Sequence, residues 1–186
     1  RVEYRLGCRV EALDPTERTA HLDDGTTLAY DEVVLATGSS PFVPPIDGRD
    51  LPGCFVYRTL DDLAAIRDWA DGRRVGAVVG GGLLGLEAAN ALRVLGLETH
   101  VIEMATHLMP QQLDRPAARM LERWITGMGV RLHCGASTAG LDGGADGVRT
   151  VRFAEGDPLD VDLVVFSAGV RPRDELARAT GLAVGE

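Results

Sequence analysis

The 186-residue sequence contains no lysine; its 19 basic residues are all arginine. No side-chain amine is therefore available to form a Schiff base or to act as an amine catalyst. Cysteine is scarce as well. Cys8, Cys54 and Cys134 are an odd number, lie far apart and form no C-x-x-C pair, so neither a disulfide framework nor a metal or iron–sulfur site is indicated within the chain. A reducing, cytoplasmic setting is the expectation. Aromatic residues make up 5%, and the longest nearly apolar run, the 12 residues from Val75 to Leu86, stops at Glu87. That is well short of the roughly 20 residues a bilayer span requires, so no membrane association is expected. Basic blocks are also missing: no like-charge run exceeds Arg73-Arg74 or the Asp pairs, and the net charge is −9. Such a surface excludes nucleic acid and anionic lipid as expected partners.

Glycine and proline are abundant by contrast, 23 and 9 residues, and they are clustered. Residues 8–30 alternate short apolar and polar stretches around Asp14-Pro15-Thr16 and Asp23-Asp24-Gly25, which predicts a three-stranded antiparallel meander. Val33-Val34-Leu35-Ala36 reads as a fully apolar strand that stops at Thr37-Gly38. The segment 39–53, with Pro41, Pro44, Pro45 and Pro52, reads as an extended crossover containing a domain boundary. Thr59 with Asp62 resembles a capping box opening a helix that ends before Gly72.

From Val75 the pattern becomes strand, glycine turn, helix, strand, helix, strand. The strands are Val75 to Val79, Thr99 to Glu103, Val130 to His133 and Leu163 to Ser167, and one helix runs from Leu83 to Leu95 with Gly96 as its stop. A second helix is expected to bury a face made by Leu113, Ala117, Met120, Leu121, Trp124 and Met128. A glycine-rich hairpin fills residues 135–162. The fold class is therefore α/β: a Rossmann-like domain with a parallel sheet plus an antiparallel meander.

Gly80, Gly82 and Gly85 form G-x-G-x-x-G between a strand and a helix. Gly80 permits the tight turn, Gly82 lets backbone approach a pyrophosphate, and Gly85 lets the helix pack on the strand. The N–H groups of Leu83 and Leu84 would face that pyrophosphate at the positive helix end. Glu103 closes the next strand, where its carboxylate can accept from the adenosine ribose and repel a 2′-phosphate, so NAD(H) is expected over its phosphorylated form. The plainer alternative for Glu103 is a solvated strand-end charge. Glu87, in the first turns of the same helix, can reach the nicotinamide half, but position alone leaves it level with an ordinary surface charge. His21, His100, His107 and His133 read as scattered structural residues, Cys134 as a small core residue, and Trp69 and Trp124 as core residues on helix faces. No metal site is expected.

The order Val33-Val34-Leu35-Ala36-Thr37-Gly38-Ser39, Pro44-Pro45-Ile46-Asp47-Gly48, Val79-Gly80-Gly81-Gly82-Leu83-Leu84-Gly85-Leu86-Glu87-Ala88-Ala89 and Phe166-Ser167-Ala168-Gly169-Val170-Arg171-Pro172 resembles the pyridine nucleotide–disulfide oxidoreductases, flavoprotein reductases with two dinucleotide domains. The stretches Tyr57 to Leu63, Leu108 to Asp114 and Arg171 to Leu176 look most like the nitrite-reducing branch of that family. The resemblance implies that NADH passes a hydride to FAD and that the rest of a parent flavoprotein is the partner. It places Thr37 and Gly38 beside FAD and Gly169 at the nicotinamide ribose. It further implies iron–sulfur and sirohaem centres elsewhere in the parent, which would carry electrons to nitrite and yield ammonia.

The redox-active cysteine pair of true disulfide reductases is missing. So are the family's FAD glycine motif and its closing Gly-Asp motif, which leads to the expectation of an internal fragment that neither holds FAD nor turns over alone. The implied domains are 1–45 as partial FAD domain, 46–172 as NAD domain and 173–186 as the start of the return to the FAD domain. Two alternatives stand beside this reading: a rubredoxin- or ferredoxin-type reductase, and a stand-alone nucleotide-binding module without catalysis. Exposed sheet edges leave room for a homodimer.

Overall fold

The structure, a computed structural model, describes residues 2–185. It comprises two compact units, one formed by the residues up to Ser40 together with those from Arg171 on, the other by Pro41–Val170. The first unit opens with the antiparallel meander β1 (Val10–Asp14), β2 (Thr19–Leu22) and β3 (Thr27–Ala29). Its first turn is held by Asp14, whose carboxylate accepts from the Thr16 and Glu17 amides at 2.8 and 2.9 Å, an Asx turn.

Val33 to Ala36, expected as a buried strand, is not one. No strand is formed there and Val34 is 88% exposed. A fully apolar strand is stable only inside a sheet covered on both faces, and no strand of this unit pairs with the segment. The chain then leaves through β4 (Ser39–Pro41).

The second unit continues with β5 (Cys54–Val56), α1 (Leu60–Ala70), β6 (Val75–Val79), α2 (Leu83–Val94), β7 (Glu98–Glu103), α3 (Arg115–Gly127) and β8 (Arg131–Cys134). There follow β9 (Thr138–Gly144), β10 (Gly147–Phe153), β11 (Leu159–Asp160) and β12 (Leu163–Phe166); β13 (Val170–Pro172) and the short α4 (Glu175–Ala179) lead back. The Thr59 hydroxyl accepts from the Asp62 amide at 3.1 Å while the Asp62 carboxylate accepts from the Thr59 amide at 2.8 Å, a reciprocal capping box that sets where α1 begins.

Strands pair in the order β5-β12-β6-β7-β8, all parallel. Successive side chains on a strand face opposite sides, and the core divides accordingly. Val78, Val101, Leu163 and Val165 join residues of α1, α2 and α3 in one cluster. Ala77, Val79, Ile102, Val164 and Phe166 pack instead against Leu141, Val148 and Val151 of the antiparallel sheet β11-β10-β9. Helices thus cover one face and a meander the other.

α3 departs from expectation. Its buried residues are Ala118 and Ile125, with Leu121 partly buried beside them, while Trp124 is 75% and Met120 66% exposed. The apolar positions are too many for the width of the contact with the sheet, so only one of two adjacent ridges is covered. Trp69 does reach the core: half-buried, it donates from Nε1 to the Asp162 carbonyl at 3.0 Å and meets Phe55 edge to face.

Candidate functional site

The chain runs outward through β6, β7 and β8 on one side of the sheet, while β12 lies on the other side of β6. This reversal between β6 and β12 opens a crevice beyond the carboxyl ends of the strands, where ligands of open α/β sheets bind. A cavity of about 750 Å3 occupies it, within the range of small-molecule and cofactor sites.

The glycine turn forms its floor. Gly80 has φ of +119°, a region an L side chain rarely enters, and a Cβ there would strike the Ser167 carbonyl. A Cβ on Gly85 would strike the Gly80 carbonyl, so helix and turn touch backbone to backbone. Gly82 is different: a Cβ there meets nothing within 4 Å because the position opens on the cavity. Gly82 is also the N-cap of α2, with no side-chain cap and no acidic residue in the first turn. The Leu83 and Leu84 amides at that end therefore retain donor capacity and a favourable dipole for an anion, and both residues line the cavity.

Glu103 lies at the end of β7 in the cavity wall. One carboxylate oxygen accepts from the Gly81 amide and the other from the Ala105 amide, each at 2.7 Å. The acid therefore fastens the glycine turn, and each oxygen keeps a lone pair for another donor. Gly169 lines the opposite end with φ of +110°, its carbonyl accepting from the Phe42 amide at 2.9 Å.

Of the predicted site residues, Gly80, Gly82, Leu83, Leu84, Glu103 and Gly169 are brought together in one cavity wall. Gly85 supports it from behind. Glu87 is exposed and outside that wall, one helical turn beyond Leu83 on the same side of α2. Thr37 and Gly38 belong to the first unit, where the Thr37 hydroxyl donates to the Arg173 carbonyl and the Arg173 amide donates to the Gly38 carbonyl.

Sequence reasoning missed much of the remaining wall. Among the described residues, Arg58 is the sole cationic residue lining the cavity. Pro110, Gln111 and Gln112 line it from a loop tied down by Met109, whose amide donates to the Gly81 carbonyl at 3.1 Å, and by the fully buried Leu108. The available signal was the wording of Tyr57 to Leu63 and Leu108 to Asp114, which carried the family resemblance without a structural placement.

The histidines are not all scattered. His100 Nδ1 and His133 Nε2 lie 2.9 Å apart with stacked rings, and His100 Nε2 is 3.2 Å from Glu98, itself paired with Arg131 at 2.8 Å. Residues 33 apart in sequence become neighbours because β7 and β8 pair with Ile102 opposite His133. Among the described residues, no group of three or more His, Cys, Asp or Glu side chains could hold a metal ion.

Burial pushes both imidazoles below their usual pKa of 6.5; Glu98 opposes this at His100, and the charge of His100 adds to it at His133. A depressed folded-state value means the unfolded chain takes up protons first, so this contribution is complete above pH 6.5 and is lost as pH falls below it. The unfolding temperature is expected to drop as pH falls from about 6.5 to 5.5, and His133→Gln to flatten that slope. A wild-type midpoint constant across this range would contradict the assignment. Burial likewise lifts the Cys54 and Cys134 thiols to about 11, which keeps them protonated and poorly nucleophilic.

A parallel sheet with a glycine turn, an uncapped helix start and a switch-point cavity defines a Rossmann-like domain. The family match extends over residues 1–186, and the chain belongs to the pyridine nucleotide-disulphide oxidoreductases, oxidoreductases that bind FAD and NAD(P)H. It is 49% identical to the nitrite reductase (NADH) large subunit of Escherichia coli (strain K12) over 98% of its own length and 22% of that protein's. It is 50% identical to the nitrite reductase [NAD(P)H] large subunit of Klebsiella oxytoca over 100% of its length and 19% of that one. The chain thus spans about a fifth of these relatives. A crystal structure of a ferredoxin reductase from Rhodopseudomonas palustris superposes with a TM-score of 0.91 at 31% identity, covering 97% of this chain and 45% of that one. No helix among the described residues is long and apolar enough to cross a membrane.

Proposed function

We propose that the chain is the pyridine-nucleotide-binding segment of an NADH-dependent flavoprotein reductase. The observation that carries this reading is the cavity in which an uncapped helix start, an open Gly82 and an anchored carboxylate converge. The Leu83 and Leu84 amides take the pyrophosphate, and Arg58 adds positive charge in a chain of net charge −9. Glu103 accepts from the adenosine ribose with its remaining lone pairs and disfavours a 2′-phosphate. The nicotinamide half extends toward Gly169, with Glu87 approaching from the outer turn of α2. Thr37 and Gly38 lie beside FAD in the whole protein.

When bound, FAD supplies the acceptor for the hydride; this segment's residues bind and orient the donor. The relatives at about half identity, both nitrite reductase large subunits, support nitrite reduction as the activity of the whole protein; the family resemblance implies ammonia as its product and iron–sulfur and sirohaem centres outside this segment. The likeness to a ferredoxin reductase supports a second reading, in which a ferredoxin-type protein takes the electrons.

Calorimetric titration of the chain with NADH and NADPH tests the binding step: saturable binding with NADH preferred is expected, and binding of neither overturns it. Arg58→Ala should weaken NADH binding about tenfold at low salt, with a smaller penalty as salt rises, since screening removes the same attraction; equal affinity for variant and wild type at low salt would sink that role. NADH oxidation by the full-length protein with nitrite or a ferredoxin as acceptor separates the two readings. Failure with both, alongside intact NADH binding, would favour a binding module without catalysis.

A further inference from the structure

The expected apolar face of α3 is split in the structure. Ala118, Leu121 and Ile125 go to the core, and Met120, Trp124 and Met128, spaced four apart, form an outer ridge 66%, 75% and 40% exposed. Four-residue spacing stacks side chains on one helix face, so the ridge runs about 12 Å along the surface. Beside it, also four apart, stand Arg115, Arg119 and Arg123. The Arg115 guanidinium donates to the Thr106 hydroxyl at 3.0 Å, whereas neither Arg119 nor Arg123 has a partner among the described residues. The nearest acid on the helix, Glu122, is half-buried and accepts from the Leu108 amide at 3.3 Å. In a chain with 28 acidic and 19 basic residues, this apolar ridge runs beside guanidinium groups, and the exposed acid of the helix is Asp114 at its N-cap, whose carboxylate accepts from the Ala117 amide at 2.9 Å.

We propose that this face of α3 docks an acidic protein surface, one presenting an apolar side chain between carboxylates. Single exposed hydrophobic residues need no explanation, but Trp, Met and Arg together are the residue types that concentrate at the centres of protein interfaces. The two ridges divide the work: Trp124 and the methionines supply buried area, and Arg119 and Arg123 supply orientation and discrimination through bidentate pairing with carboxylates. An antiparallel symmetric pair of this chain through the same face would set arginine ridge against arginine ridge. An anionic membrane would bring the whole molecule, at −9, against like charge. An acidic protein patch meets only the local positive charge. This inference is independent of nucleotide binding, because no residue of either ridge lines the cavity.

The test uses a helical 20-residue peptide with a leucine ridge flanked by glutamates, and its twin with lysine at every glutamate, titrated into the chain by calorimetry with tryptophan fluorescence in parallel. The acidic peptide should bind saturably and at least about tenfold tighter than the basic twin. Arg119→Glu with Arg123→Glu should reverse that preference, and Trp124→Ala should remove most of the binding, both with the unfolding temperature and NADH affinity unchanged. Equal affinity for the two peptides, no binding of either, capture by phosphatidylglycerol vesicles in place of the peptide, or a self-dimer abolished by Trp124→Ala would each overturn the proposal.

Discussion

Gly82→Ala is expected to abolish most NADH binding while leaving the fold intact, and Gly85→Ala to damage both. The two positions are three residues apart in one motif, yet what surrounds them differs. A Cβ at Gly82 enters open cavity, and the residue's φ of −81° is accessible to alanine. Alanine is a poorer N-cap than glycine, a loss of about 0.5–1 kcal/mol that is offset by the smaller entropy of its unfolded chain. Stability should therefore stay within about 0.5 kcal/mol of wild type. The added methyl group stands where a pyrophosphate must approach the amides, so NADH affinity should fall at least tenfold, about 1.4 kcal/mol.

At Gly85 the methyl group would meet the Gly80 carbonyl, with the Gly80 carbonyl carbon 2.9 Å away. Both partners are backbone, so relief requires α2 to move off β6. The cost should exceed the 1–3 kcal/mol or so typical of overpacking by a side chain, and the unfolding temperature and NADH affinity should fall together. Thermal unfolding and calorimetry on both variants check this. Wild-type NADH affinity in Gly82→Ala would show that the pyrophosphate does not approach this turn.

Removal of the Glu103 carboxylate should have the second largest effect, and on two observables. Its oxygens hold the Gly81 and Ala105 amides at 2.7 Å, and hydrogen bonds to a charged group contribute about 1.5–3 kcal/mol each. Glu103→Ala should therefore lower the unfolding temperature even without nucleotide. It should also weaken NADH by loss of the ribose contact and raise NADPH relative to NADH by loss of the repulsion. Glu103→Gln separates these effects: its amide can serve as acceptor to one backbone N–H but presents a donor to the other, while the charge is gone. The NADPH to NADH affinity ratio should rise in Gln and Ala variants alike. An unchanged ratio would mean that Glu103 holds the turn and plays no part in choosing the cofactor.

The same carboxylate shows where reading from sequence stops. The interval from the glycine turn to Glu103 is a matter of chain length, since one helix and one strand must fit between, and it is legible. That Glu103 also grips Gly81 depends on the register of β6 against β7, which places Val79 beside Ile102. Local signals behaved similarly: the Thr59–Asp62 capping box, the β1 to β3 meander and the glycine stop at Gly96 are short-range chemistry and formed as read. Val33 to Ala36 had the composition of a buried strand, but a strand needs a neighbour to take its hydrogen bonds, and composition does not supply one.

The exposure of Trp124, the His100–His133 contact and the presence of Arg58 in the cavity share a cause. Each depends on which elements lie side by side, and the hydrophobic period of a single helix or the spacing of histidines along a chain carries no information about that. Turn geometry, capping and hydrophobic period are properties of a few consecutive residues, so the alternation of strands and helices from β6 to β8, the glycine turn and the acid that follows it were legible in the chain. Which of the two apolar ridges of α3 is buried, which side chains close the cavity and the anchoring of the turn by its acid rest instead on packing between segments 22 to more than 100 residues apart, which no local pattern encodes.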